Sequence, residues 1–446
     1  MEKIIDTPCG KIKGYEFNEN IIAYKGIRYA NAKRFEYPIE VDKWNEIYDA
    51  KSYGACSYQP RAFYNEEENL KKIFYYNEFR KNRTYEYSED CLFLNVWTPK
   101  ECKNGDNLPV LIYIHGGGFT GGCGHEAHFD GPIWPSKGII GVTINYRLGP
   151  LGFLSFEGET HSGNYGLYDQ VCAINWIKHN IEAFGGNPNN ITIMGQSAGA
   201  MSVQQLCMSP LTKGLFQKAI MNSGGGVSKI LNTPRASERY EFSKKIMEIS
   251  NCNNLEELKK LDVKTLFEAY TEAKKGMRMM ACLPVIDGEL IIDTLVNLLK
   301  ENKQHHIPYM IGSTSEDMMA PFMHSMAKKW GLAQESKAYC FMFNHKLPGD
   351  DNGAWHSSDL WYFFGTLKNS WRPMGKADYS LSNMMSDYLV NFVKNDNPNG
   401  EGLPIWNDIK NSNGKLMHFG NGECVEKKVK TSVLWKNLIF KKAVGE

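Results

Sequence analysis

Ile191-Thr-Ile-Met-Gly-Gln-Ser197-Ala-Gly-Ala-Met-Ser-Val-Gln-Gln-Leu206 decides how this chain reads. A short β-type run, Ile191 to Met194, enters Gly-Gln-Ser-Ala-Gly, and apolar residues at helical spacing follow. Gly-x-Ser-x-Gly carries meaning only in that strand-to-helix setting. A serine on so sharp a turn sits in strained backbone, and its neighbours two positions away must be nearly free of side chain. The turn lifts Oγ clear of the sheet, while the helix aims its positive N-terminal end at the same point. Five residues alone would suit an ordinary glycine turn. With both flanks present, Ser197 reads as a nucleophile.

Upstream, the apolar run Leu108 to Ile114 leads straight into His115-Gly116-Gly117-Gly118-Phe119. Successive glycines after a buried strand leave backbone N–H groups bare and free to converge, as acyl transfer needs where a carbonyl oxygen becomes an oxyanion. Alone this could be a flexible loop. Paired with the serine turn about 80 residues on, it matches an oxyanion loop. Further strands are expected at Cys91 to Trp97, in residues 138–147 and 215–226, and at Ile307 to Gly312, with β-type runs in residues 1–35. Residues 166–184 show an amphipathic helix stopped by Gly185-Gly186, and Asp378 to Asn395 and Val433 to Ala443 show two more. Strand and helix alternate, which predicts an α/β class with a large, mostly parallel central sheet flanked by helices. Residues 61–89 read as an aromatic surface excursion near a pocket mouth, and about 234–300 as a charged helical excursion outside the sheet.

The whole chain bounds this reading. It has 446 residues, a net charge of +1 and 42 % hydrophobic residues, and the expectation is a single catalytic domain over 1–446. Near-zero charge argues against nucleic acid or an anionic membrane as partner. No run approaches the roughly 18 apolar residues of a membrane span. The first residues, Met-Glu-Lys-Ile-Ile-Asp-Thr-Pro-Cys, hold no apolar signal core. Eleven scattered cysteines suit reduced thiols, and a cytoplasmic location is expected. Cys123, His125 and His128 could suggest a metal site; they are read as loop residues, because zinc needs further ligands in a defined array.

Such a serine turn belongs to the α/β-hydrolase pattern, which places an acid and then a histidine after the serine. Glu316 and Asp317 follow a strand, at the edge where open α/β sheets keep their sites. Of the later histidines, His356 stands in Gly353-Ala-Trp-His-Ser-Ser-Asp-Leu-Trp-Tyr-Phe-Phe-Gly365, a glycine-started loop entering an aromatic run. His324, His345 and His418 have no comparable setting.

The chain resembles the type-B carboxylesterase family, which contains the para-nitrobenzyl esterases and the cholinesterases. The resemblance runs through Gly26-Ile-Arg-Tyr-Ala30, Ser88-Glu-Asp-Cys-Leu-Phe-Leu-Asn-Val-Trp97, His115 to Phe119, Asn145-Tyr-Arg-Leu-Gly149, Gly163-Asn-Tyr-Gly-Leu-Tyr-Asp-Gln170, Phe184-Gly-Gly-Asn-Pro188 and Asn391 to Asn399. It implies Ser197 as nucleophile, His356 as base, Asp317 rather than Glu316 as the acid, and the amides of Gly117, Gly118 and Ala198 as the oxyanion hole. It implies a serine ester hydrolase acting on small to medium, apolar or aromatic, carboxylic esters, needing no cofactor or metal, as a monomer or homodimer. Phe119, Gln196, Trp355 and Trp361 are the expected pocket residues. Gln196 stands where animal members carry Glu. The segment between Asp317 and His356 is short for the family and implies a reduced cap over about 318–355. Arg34 with Glu89, and Arg147 with Asp169, are expected as buried ion pairs. Cys56 and Cys91 match a family disulfide position and are expected as free thiols. A non-catalytic binding module on the same fold, or a hydrolase acting on amides or lipids, is the alternative.

Overall fold

The buried apolar runs pair into one large sheet, 13-stranded among the described residues. The computed structural model describes residues 2–70, 73–228, 232–277, 281–420 and 422–429; the helix expected at Val433 to Ala443 lies outside them. The main strands are β1 (Glu2–Thr7), β2 (Gly10–Asn18), β3 (Ile21–Arg28), β4 (Phe93–Pro99), β5 (Leu108–Ile114), β6 (Ile140–Ile144), β7 (Gly186–Gln196), β8 (Lys218–Asn222), β9 (Tyr309–Thr314), β10 (Ala338–Phe343), β11 (Leu416–Gly420) and β12 (Glu423–Lys427). They lie side by side in the order 1-2-3-4-6-5-7-8-9-10-11-12. From β6 across to β11 every pairing is parallel, and antiparallel strands close both edges.

Parallel strands buried on both faces need apolar residues at successive positions, and period 2 then splits them between two cores. In β5, Val110, Ile112 and Ile114 join one core, while Leu111 and Tyr113 join the other. The first core takes the helix α1 (Tyr165–Asn180), through Ile174 and Ile177, and α2 (Ala198–Met208), through Val203 and Leu206. The second takes the long helix α3 (Lys376–Asn395), through Leu381, Met385, Leu389 and Phe392. The helix α1 ends in a tight turn whose Gly185, at φ 84°, supplies the left-handed cap. The described residues of the excursion at 234–300 include helices outside the sheet, Tyr240–Ile249, Leu255–Lys260, Val263–Ala273 and Leu295–Lys300.

One expectation needs correction. The segment 318–355, expected as a shortened cap, holds the helix Ala320–Ala333 and then β10, which pairs in parallel with β9 from Tyr309↔Ala338 to Thr314↔Phe343. The run Ala-Tyr-Cys-Phe-Met-Phe is wholly buried, so this stretch is a crossover that extends the sheet.

Two ion pairs fix the layers. Arg147 and Asp169 meet at 2.7 and 2.8 Å with both side chains buried, and Arg147 also donates to the carbonyls of Lys33 and Glu36. Arg34 pairs with Glu89, which is half-buried rather than fully buried, and reaches the carbonyls of Leu258 and Leu261, tying the helical excursion to the N-terminal strands. Removing one partner of a buried pair strands the other charge. Arg147→Met is therefore expected to lower unfolding stability by about 3–5 kcal/mol, read from a shifted urea midpoint at unchanged slope.

Candidate active site

Ser197 sits between β7 and α2 at φ 55°, ψ −121°, a conformation a non-glycine residue adopts only when its surroundings impose it. Its N–H donates to the Asn222 carbonyl at the end of β8 (2.8 Å), and its carbonyl accepts from Met201 (3.0 Å). The glycines are needed for close approach. A Cβ on Gly195 would stand 2.3 Å from the Gly199 carbonyl carbon, and one on Gly199 would stand 2.1 Å from the Ile114 carbonyl oxygen. The first turn of α2 thus lies directly on the ends of β5 and β7.

The loop after β5 wraps the same point. A Cβ on Gly116 would lie 3.0 Å from the Ser197 Cβ. Gly117 has φ 111°, and its carbonyl accepts from Thr120 and Gly121 at 3.1 and 3.0 Å. No acceptor is found among the described residues for the N–H groups of Gly117, Gly118 or Ala198.

The acid and the histidine come together from loops after β9 and β10. Asp317 Oδ1 accepts from His356 Nδ1 at 2.6 Å and from the Met318 N–H at 2.8 Å, while Oδ2 takes the Thr314 hydroxyl at 3.2 Å. Burial works to raise the Asp317 pKa, but the hydrogen bond and charge of His356, with the Met318 amide, hold it below the ordinary carboxylate value. Glu316 does not face the imidazole. Its N–H donates to Ala354 (3.1 Å), and its carboxylate lies over Gly353. The acid loop is therefore stitched to the histidine loop by its neighbour. His345 also meets a carboxylate, Asp378 at 2.8 Å, away from Ser197 and beside the start of α3.

With Nδ1–H directed at Asp317, His356 Nε2 is an acceptor, and Gln196 Nε2 lies 3.1 Å from it. No hydrogen bond from Ser197 Oγ to this nitrogen is present among the described residues. Ser197, Gln196, His356, Gly116, Gly117, Gly118 and Ala198 all line one cavity of about 660 Å³. Tyr75, Phe79, Met201, Tyr270, Met277 and Met318 give it apolar walls, with Arg61 and Lys274 also in its lining. Of the expected pocket residues, only Gln196 lines it. Phe119 is fully buried against Phe153 (4.9 Å), Trp355 packs on Phe74 (5.1 Å), and Trp361 is fully buried in the second core. An aromatic run has the same composition whether it walls a cavity or fills a core. Tyr75 and Phe79 fall in the excursion expected near the pocket mouth; Met201, Met277 and Met318 carried no sequence signal.

A second carboxyl lies behind the first. Asp359 is wholly buried, and its Oδ2 accepts from the Asn222 side chain at 2.7 Å. Burial, reinforced by the charge of Asp317, pushes its pKa up to about 6, against the Asn222 hydrogen bond.

The sequence model described as the carboxylesterase family matches residues 1–329 and 318–435. The chain belongs to the carboxylesterase family. This carboxylesterase is 30 % identical over 467 residues to the para-nitrobenzyl esterase of Bacillus subtilis (strain 168), covering 90 % of this chain and 91 % of the relative. Liver carboxylesterase 1 of Oryctolagus cuniculus is 27 % identical over 537 residues, covering 99 % and 94 %. Among solved structures, a PNB esterase superposes with a TM-score of 0.83 at 25 % identity over 97 % of this chain and 98 % of its own. A thermophilic PNB esterase gives 0.82 at 26 %, over 98 % and 100 %. The fold is that of an α/β-hydrolase, and the carboxylesterase acts on carboxylic esters.

One outcome follows from these contacts. Asp359 binds its proton more tightly folded, at about 6, than at its ordinary 3.8. That contribution to stability is present at low pH and is lost as pH rises through about 4 to 6. Asp359→Asn is expected to raise the melting temperature relative to the parent at about pH 8 but not at about pH 4.

Proposed function

We propose that the enzyme is a serine hydrolase whose acyl-enzyme forms on Ser197, with His356 as general base and Asp317 as the group orienting it. The observation that carries this reading is the 2.6 Å bond from His356 Nδ1 to a buried carboxylate, on the wall of the cavity that also holds Ser197. Asp317 fixes the tautomer with the proton on Nδ1 and stabilises the imidazolium that forms. Gln196 gives up Nε2 as a substrate enters, and Ser197 Oγ then transfers its proton there while attacking the ester carbonyl. The amides of Gly117, Gly118 and Ala198 receive the oxyanion; one such donor is worth about 10²–10³ in turnover. Alcohol leaves with the proton from His356, and water activated by the same nitrogen releases the acid.

The cavity's size and its tyrosine, phenylalanine and methionine walls favour small to medium esters with apolar or aromatic groups. Ser197→Ala is expected to cut hydrolysis of short para-nitrophenyl esters by at least about 10⁴-fold, with the melting temperature preserved. Undiminished turnover in that variant would remove the mechanism.

A further inference from the structure

Three buried soft donors converge outside the cavity. Cys56, on the short strand Cys56–Ser57, faces Cys123 and His125, on the loop that continues from Gly116–Gly118. The two thiol sulfurs and an imidazole nitrogen all lie within 4.8 Å of one another, and all three residues are buried. Cys56 Sγ stands 3.7 Å from His125 Nε2. The ring is held by face-to-face stacking on Tyr53, with centroids 4.3 Å apart and an interplanar angle of 8°. His128, which the sequence grouped with this pair, turns away and stacks on Phe79 at 3.7 Å. Cys56 takes its place. Cys91, the expected counterpart of Cys56, is not bonded to it.

We propose that Cys56, Cys123 and His125 form a binding site for a thiophilic d10 metal ion, Zn²⁺ or Cu⁺. Two sulfurs and one imidazole select these ions over hard cations, which take oxygen. The geometry agrees. With metal–sulfur bonds near 2.3 Å and metal–nitrogen bonds of about 2.0–2.1 Å, a sulfur and a nitrogen on one ion stand roughly 3.5–3.8 Å apart between tetrahedral and trigonal angles. The 3.7 Å between Cys56 Sγ and His125 Nε2 falls within that interval, and Cys123 Sγ lies within 4.8 Å of both. A lone buried cysteine is usually a small inert hydrophobe. Two thiols and an imidazole from two segments, with Cys56 and His125 69 residues apart in sequence, gathered within 4.8 Å of one another, are a different arrangement.

Zn²⁺ would take one further, non-protein ligand to complete its tetrahedron, whereas Cu⁺ would be held by the three donors alone; either ion acts structurally. None of the three ligands lines the catalytic cavity, but Gly122, next to Cys123, does. Gln59 holds Gly122 from both sides, accepting from its N–H and donating to its carbonyl at 3.0 Å each, and the neighbouring Gly121 N–H donates to the Gly117 carbonyl. A metal here clamps the 56–59 segment to the loop bearing Gly117 and Gly118.

The test uses the full chain, reduced and stripped by chelator. Co²⁺ serves as a spectroscopic stand-in for Zn²⁺, and Cu⁺ is added anaerobically against a colorimetric chelator. The expected result is one ion per chain for at least one arm, with a thiolate-to-cobalt charge-transfer band in the first and a raised melting temperature. Binding is lost in Cys56→Ser and Cys123→Ser and kept in Cys91→Ser. Should the serine variants not fold, X-ray absorption of the loaded parent must show two sulfur ligands and one nitrogen. Three results would overturn the proposal: no stoichiometric uptake in either arm, uptake unchanged in both folded serine variants, or loss of both thiols to a disulfide in the stripped protein before any metal is added.

Discussion

The structure depends on one strained turn. Ser197 is held at positive φ because the chain must pass from β7 into α2 with no room for a looser connection. The contacts at Gly195 and Gly199 show how tight that passage is. Strain of this kind persists only where the surroundings over-determine it. Here they do: β5 and β8 flank the turn on either side, the Asn222 carbonyl takes the serine N–H, and the Gly116 loop lies against its Cβ. The sheet is the clamp, and the serine is what it grips.

Parallel register carries that constraint to the other groups. Gln196 pairs with Asn222 and Asn222 with Gly312, so the strand ends that release Ser197, Asn222 and the Thr314–Asp317 turn lie along one edge. Asn222 serves twice, with its carbonyl on Ser197 and its side chain on Asp359. The carboxyls of Asp317 and Asp359 have opposite fates because one has an imidazole donor and the other only an amide in a dry site.

Much of this was legible in the chain. The serine turn, the glycine loop and β5 with its ends at Leu108 and Ile114 could be read directly, because local sterics and period-2 burial leave marks over a few residues. Asp317 rather than Glu316 is what the family resemblance implies, and Asp317 is the carboxylate that meets His356. What failed depended on distant packing. Ala338–Phe343 falls within the expected cap although polar residues 334–337 and Pro348-Gly349 bound it, because its partners in β9 and β11 lie elsewhere in sequence. Phe119, Trp355 and Trp361 looked like pocket walls because aromatic composition does not encode which side of a strand or loop faces a cavity. Cys56 could not be joined to Cys123 and His125 from spacing, since only the fold brings those segments together.

The proposed role of Ser197 turns on where a reacting oxygen lies relative to it. A crystal structure of the enzyme after reaction with an organophosphonate tests that directly. The predicted adduct is on Ser197 Oγ, with the phosphoryl oxygen about 2.7–3.1 Å from the amides of Gly117, Gly118 and Ala198, and with the Gln196 side chain withdrawn from His356. A label on another residue, or a phosphoryl oxygen directed away from those three amides, would contradict it.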